Sequence, residues 1–507
     1  TSLRDVAALG TRAGVRKRGS SSSGWPKYAM SVETWNDGDD EDRNIKPLGF
    51  AREADWILSA RYQFDRALMR NPLIYDLSRQ IGRYAVRTRF VEVFNDVTGG
   101  ELNNSNDYFG VYTFMEKVEA DENRVEVDRL MPWENAEPEV TGGYIFKRDR
   151  NDAGSPPTYS VSGAGGSLIP HDPGGEEVTA QQKSFIQTYL NEMNTAIVNR
   201  SGGGVNPQTG LHFSDYLDVG SFIDHHWLNV LAMNVDWGRL SAYYHKYRSG
   251  VVHAGPIWDF DRTMGSEDSR DDNPRQWDGS GDSSRTWMDS RYPWFGNLVG
   301  PSSDSSSAYY PEVRQRHTDR WFELRRGALS TENINRTIDG MADELREAQQ
   351  RNFARWPERS PNGGNFQQAG TLGWEAEVSH LKGWLQARAE WIDSQYLSPP
   401  EFNHPGGVVE EGFSLLMNGD GPVYFTIDGS DPRNADGSIS DSAVPFEGGA
   451  INTTLLGDGV AFNYHVPTDA SLGLQWTALG FEASAENGWN EGTGGAGWES
   501  AGGLLEP

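Results

Sequence analysis

Asn234-Val235-Asp236 closes a strongly apolar stretch, Val219 to Asn234, in which Phe222, Ile223, Trp227, Val230, Leu231 and Met233 follow a helical pattern. This predicts a buried helix ending near Asp236. Ser241 to Tyr247 and Val251 to Trp258 come next, separated by Arg248, Ser249 and Gly250, and predict a β-hairpin. The hairpin runs straight into Trp258-Asp259-Phe260-Asp261, so carboxylates stand at both of its ends, with Asp236 and Asp259 23 positions apart. A bland reading competes: Asp236 caps a helix, and Asp259 and Asp261 are turn residues on a solvated rim.

Working outward, Phe64, Leu68, Leu77 and Ile81 predict a helix, or a broken pair of helices interrupted at Pro72. Arg89 to Phe94 and Tyr108 to Val118 alternate apolar and polar residues and read as an antiparallel hairpin with a long connection. Gly142 to Lys147 adds a strand. Asp152 to Gly175 is rich in Gly, Ser and Pro and reads as an exposed loop or lid. Glu177 to Val198 is helical, Glu267 to Asp289 is a polar loop, and three helical patterns follow Pro311 as far as Tyr396. Trp321, Leu324, Leu345, Trp384, Leu385 and Trp391 supply their core faces. After Pro399-Pro400 helix formers give way to Gly, Asp, Ser and Thr, which marks a domain boundary. Phe413 to Leu416 and Val423 to Ile427 read as strands, and Asp428-Gly429-Ser430-Asp431-Pro432 as a turn, so the tail is expected to be all-β.

Composition narrows the function classes. The 507 residues carry 45 Lys and Arg against 73 Asp and Glu, a formal charge of −28 that repels polyanions and argues against a nucleic-acid partner. With 36% hydrophobic and 11% aromatic residues the chain can build large cores despite a mean hydropathy of −0.65, so two or more folded domains are expected. There is no cysteine, which excludes disulfides, thiolate metal sites and a cysteine nucleophile. No apolar run approaches the roughly 18 residues of a membrane helix. The opening at Thr1, without a start methionine, is what a processed or excised chain would show.

Phosphoryl transfer needs one carboxylate to accept the nucleophile's proton and at least one more to hold a divalent metal against the phosphates. Protein kinases place those two Asp residues on either side of a β-hairpin. Here Gly255-Pro256-Ile257-Trp258-Asp259-Phe260-Asp261 with Gly265 resembles the signature of the CotH kinase family, the relatives of spore-coat protein H. Arg18-Gly19-Ser20-Ser21 through Pro26-Lys27 resembles its arginine-glycine-serine and proline-lysine motif. Gly110-Val111-Tyr112 with Glu116-Lys117 resembles its glycine-x-tyrosine and glutamate strand, and Arg70-Asn71, Asp236 and the Arg320-Trp321 helix agree in order. The resemblance spans roughly residues 12 to 396. It implies an α+β, atypical protein-kinase-like two-lobed domain with a helical C-terminal part, acting with ATP and Mg²⁺ or Mn²⁺ on protein hydroxyls.

Carried onto this chain, the resemblance makes Asp236 the catalytic base, Asp259 the principal metal ligand and Asp261 a second ligand or its orienting neighbour. Lys27 would pair with the phosphates, Glu116 would hold that lysine or help bind metal, and Arg18 would join the cofactor site. Lys147 competes with Lys27 as the phosphate lysine. Lys27 as a surface lysine and Glu116 as a strand-edge charge are the bland alternatives. In the kinase template an Asn follows the catalytic Asp after four residues and holds a second Mg²⁺; here that place is Ser241, so one metal is expected. No complete glycine-rich phosphate loop is present, and earlier strands of the small lobe are expected to be missing.

His225 and His226 are adjacent, and His245 and His253 lie on the proposed hairpin; none has the spacing of a zinc helix, so structural roles are expected. The acidic, Ser-rich run from Glu267 to Ser307 reads as a solvated loop, with calcium binding or autophosphorylation as the sharper alternatives. Val423 to Arg433 resembles the small β-sandwich at the C-terminus of chitobiase and β-hexosaminidase enzymes. The expected organisation is therefore 1–398 as the CotH-like kinase domain, 399–450 as an all-β sandwich module, and 451–507 as the start of a further β-rich surface module. The expected function is a secreted or surface-associated bacterial Ser/Thr protein kinase, with protein substrates and other surface or extracellular proteins as partners. A non-catalytic structural or adhesive surface protein is the main rival, and a glycoside hydrolase the distant one.

Overall fold

Five strands drawn from residues 12–116 pair antiparallel throughout: β1 (Arg12–Arg18), β2 (Ala29–Trp35), β3 (Asp55–Ala60), β4 (Thr88–Phe94) and β5 (Tyr108–Glu116), in the order β1-β2-β3-β5-β4. They belong to a computed structural model that describes residues 7–20, 22–150, 158–166, 168–277, 293–299, 310–361, 372–410, 412–446, 461–464 and 489–493. The predicted hairpin is β4–β5, running from Thr88 opposite Met115 to Phe94 opposite Tyr108. β5 lies between two partners, and Val111, Tyr112 and Met115 are buried accordingly. The first strand of this sheet carries Arg18.

α1 (Arg70–Gln80) corrects the reading of 64–81. Pro72 falls in its first turn, where a missing N–H costs no intrahelical bond, so it does not break the helix. Phe64 and Leu68 have φ of 71° and 66°, which keeps them out of any helix.

A second antiparallel sheet, β7-β6-β8-β9, joins β6 (Tyr144–Arg148), β7 (Leu168–Asp172), β8 (Ala242–Lys246) and β9 (Val252–Ala254). β7 lies in the stretch expected to be an exposed loop. Leu168, Ile169 and Pro170 are buried there, but a short apolar run among Gly, Ser and Pro gives little local signal. α2 (Ala180–Val198) starts at a reciprocal cap between Thr179 and Gln182. α3 (Val219–Ala232) is capped by Asp218, and Met233, with φ of 49°, ends it.

α4 (Pro293–Val299) interrupts the run expected to be a solvated loop, and Trp294, Phe295 and Leu298 are buried; residues 278–292 and 300–309 lie outside the described residues. Among the described residues four helices rather than three follow: α5 (Pro311–Arg326), α6 (Thr331–Leu345), α7 (Ala348–Arg355) and α8 (Gly373–Asp393). Trp227, Trp321 and Trp384 are fully buried in one core that also takes in α1 and both sheets.

The chain separates into two compact units, Thr1–Ser398 with Asp431–Asp441, and Pro399–Ser430 with Ser442–Pro507. In the second, the described residues form three two-stranded ladders: β10 (Glu401–Phe402) with β11 (Met417–Asn418), β12 (Val423–Phe425) with β13 (Val444–Phe446), and β14 (Ala461–Tyr464) with β15 (Asn490–Thr493). The strand expected at Phe413–Leu416 falls just beyond it, in β11. At the predicted turn Asp428 Oδ1 accepts the Ser430 N–H at 2.9 Å. Most of 451–507 lies outside the described residues.

Candidate active site

A cleft of about 660 Å³ opens between the first sheet and the segment running from α3 to Arg262. Arg18, Lys27, Lys147, Asp236, Asp259 and Asp261, separated by up to some 240 positions of sequence, all line it. Glu116 does not. A separate cavity of about 400 Å³ around Arg83, His225, His245 and His253 contains none of the three aspartates.

The acidic wall is built by two unusual backbone turns. Asn234 Oδ1 accepts the Asp236 N–H at 3.1 Å, which turns the chain out of α3 and presents the Asp236 carboxylate to the cleft. Asp236 Oδ1 pairs with Arg239 at 2.5 Å, and Oδ2 lies 3.6 Å from Arg262. Asp259 has φ of 68°, a left-handed conformation that a residue with a Cβ adopts only when its surroundings fix it. Those surroundings come from α1: the Asp259 N–H donates to the Tyr75 hydroxyl at 3.2 Å, and the Phe260 N–H donates to Asn71 Oδ1. Ser241 Oγ donates to Asp259 Oδ2 at 3.3 Å. The serine in the template's asparagine place is therefore an orienting group for Asp259.

Arg70 explains the neighbouring motif. Its guanidinium is fully buried, pairs with Asp65 at 2.9 Å and Glu377 at 3.1 Å, and donates to the carbonyls of Thr263 and Gly265 at 2.8 and 3.0 Å. Gly265 has φ of 68°, and a Cβ there would stand 2.6 Å from Trp384. The loop after Asp261 is consequently pinned from beneath by α1 and α8.

Burial, and then the Asp236 charge, raise the Asp259 pKa; burial and the Asp259 charge raise that of Asp261 well above the usual carboxylate range. Asp259 nonetheless opens to the cleft, ringed by protein but reached by water. Two crowded carboxylates with excess negative charge suit a hard divalent cation. Among the described residues no three His, Cys, Asp or Glu side chains cluster tightly enough to cage one. Asp259 and Asp261 would thus supply two ligands and leave the remainder to phosphate oxygens and water, the usual arrangement for Mg²⁺.

The opposite wall is cationic. Lys27 is fully buried, and its Nζ donates to Val111 O at 2.6 Å, Asn352 Oδ1 at 3.0 Å and Arg61 O at 3.4 Å. Burial and the Arg61 charge pull its pKa down to about 7. Gly110, at φ of 116°, must be glycine here, because a Cβ would meet Asn352 Oδ1 at 2.8 Å and Lys27 Cε at 3.1 Å. Arg18 lies over the Trp258 ring, 5.6 Å from its centroid. Lys147 is tied to Asp149 at 2.7 Å; burial acts to lower its pKa, but Tyr243 and Asp149 prevail and raise it.

The structure overturns the partnership expected of Glu116. Its carboxylate accepts from the Arg87 N–H and side chain at 2.8 and 2.7 Å and from the Tyr84 hydroxyl at 3.2 Å, away from Lys27. It anchors the connection into β4. The carboxylate whose charge favours protonated Lys27 is Asp65. Sequence reading also missed Arg61 and Asn352. Neither carries a local signal: Arg61 merely follows β3, and Asn352 is one polar residue on a short helix.

A family model described as CotH kinase protein matches residues 15–392, and the chain belongs to the CotH kinase family. No curated protein matches the chain. Among the described residues no helix is long and apolar enough to cross a membrane.

Proposed function

We propose that this chain is an atypical protein kinase that transfers the ATP γ-phosphate to Ser or Thr hydroxyls of a protein, outside the bacterial cell or on its surface. The observation that carries the reading is the gathering in one cleft of three carboxylates, Asp236, Asp259 and Asp261, with the buried cations Lys27 and Arg61. ATP with Mg²⁺ or Mn²⁺ supplies the phosphoryl group and its charge neutralisation when bound. Asp259 and Asp261 would hold the metal, with Ser241 and Tyr75 fixing Asp259. Asp236 orients the incoming hydroxyl and accepts its proton, while its pair with Arg239 sets the carboxylate's direction. The external location rests on the tail's resemblance to modules of surface proteins, and fractionation of the source cells tests it.

A second reading, a surface scaffold without turnover, draws on Ser241 at the second-metal position. Incubation of the purified chain with labelled ATP and Mg²⁺ or Mn²⁺ separates the two. Label on the chain itself or on casein is expected; neither transfer nor nucleotide binding would favour the scaffold.

A further inference from the structure

Lys27 has only three donors, and protein oxygens take all of them. It is fully buried, so it has no N–H left for a ligand. Arg61 presents the reverse situation. It lines the cleft while only 5% exposed, and its Nε and Nη2 have no hydrogen-bond partner. Its nearest counter-charge, Asp65 Oδ2, stands 3.9 Å from Nε, beyond hydrogen-bonding distance, and Asp65 already accepts from the Arg70 side chain and N–H at 2.9 and 3.0 Å.

A desolvated guanidinium with idle donors is costly unless something anionic completes it. Its planar fork matches two phosphate oxygens at once, which the ammonium of Lys27 could not do even if free. Arg61 also faces the acidic wall closely enough for its charge to act on Asp259, Asp261 and Lys27. Anything binding there therefore has metal-holding carboxylates on one side and a cation with idle hydrogen-bond donors on the other.

We propose that Arg61, and not Lys27, is the residue that grips the phosphate chain of the ligand, while Lys27 is a positioning residue that holds the Arg61 carbonyl, β5 and α7 together. The inference rests on the nucleotide reading above. The chemistry it names is a polyphosphate chelated by a divalent cation, whether part of a nucleotide or inorganic.

Calorimetry of Arg61→Gln, Lys27→Met and the wild type with ATP, inorganic tripolyphosphate and adenosine, each with Mg²⁺, tests it. Arg61→Gln is expected to weaken ATP and tripolyphosphate by roughly 10- to 100-fold, as for lost charge-assisted hydrogen bonds, and to leave adenosine unchanged. Lys27→Met is expected to weaken them less while lowering the melting temperature. Equal affinity of Arg61→Gln and wild type for ATP, or a larger loss in Lys27→Met, overturns the Arg61 assignment and spares the nucleotide reading. Tripolyphosphate binding that needs Arg61, without ATP binding, supports Arg61 and overturns the nucleotide. No binding of either by the wild type overturns both. If Arg61→Gln fails to fold, wild-type hydrogen exchange over 55–64 decides: protection by tripolyphosphate but not adenosine supports the assignment, and its absence refutes it.

Discussion

On one wall of the cleft Lys27 and Arg61 are almost wholly shut away from water, whereas on the other Asp259 opens into the lumen and Asp261 is only half-buried. The cationic wall depends on long-range packing: β3, β5 and α7 converge on Lys27, and the sheet encloses both charges. The acidic wall depends on backbone conformation, with left-handed residues at Ser241 and Asp259 held by hydroxyls. Each wall carries charge its surroundings disfavour, positive in one case and negative in the other. A metal-chelated phosphate, the ligand proposed above, would relieve both at once.

The comparison breaks most completely at Asp236, which belongs to the acidic wall but is assigned to proton transfer. Asp236→Asn should lose about 10²–10⁴-fold in phosphoryl transfer while the ATP dissociation constant moves little. Near-normal transfer would remove the base, and an equal loss of ATP binding would make Asp236 a metal ligand.

Acid should separate the walls next. His225 lies on α3, His245 on β8 and His317 on α5, and burial holds them neutral, at about 4, 4 and 3. The five-stranded sheet contains no histidine. Because these pKa values lie below the unfolded value near 6.5, the unfolded state binds more protons as pH falls. Their contribution is complete above about 6.5 and is lost on acidification, by up to ~1.4 kcal/mol per pH unit for each. From pH 7 to 5 the hydrogen-exchange protection factors, taken relative to the intrinsic rate at each pH, should therefore fall in α3 and β8 before β1 to β3.

Within the acidic wall, Asp259→Ala should weaken Mg²⁺-dependent ATP binding by roughly 10- to 100-fold and Asp261→Ala by less, read by calorimetry. A reversed order would exchange their roles. On the cationic wall Gly110→Ala forces a side chain against Asn352 and Lys27 at positive φ, and should cost about 1–3 kcal/mol in denaturant unfolding. Smallest of all, a chain ending at Ser398 loses the exposed Arg433 pair with Asp319, measured at 2.8 Å, and should melt within a few degrees of the full chain. A much lower melt would show that the tail stabilises both walls.

The acidic wall was legible in the sequence because one continuous stretch, Val219 to Asp261, encodes it: an apolar helix, then a hairpin with carboxylates at its two ends. Arg70-Asn71 was legible as a motif, though its work of pinning the Asp259 and Gly265 loops was not. The cationic wall was largely hidden. Lys27 bonds to Val111 and Asn352, 84 and 325 positions away, and no local periodicity records such a neighbour. Glu116 looked like the partner of Lys27, but its place at the end of β5, beside the chain entering β4, gives it to Arg87. Hydrophobic spacing and turn residues act over a few positions, so the sequence alone determined the helix, the hairpin and the order of the aspartates. Which buried cation has its hydrogen bonds filled, and which is left facing the cleft, depends on side chains that meet only when the sheet and α7 close over them, and so the tertiary structure alone decided it.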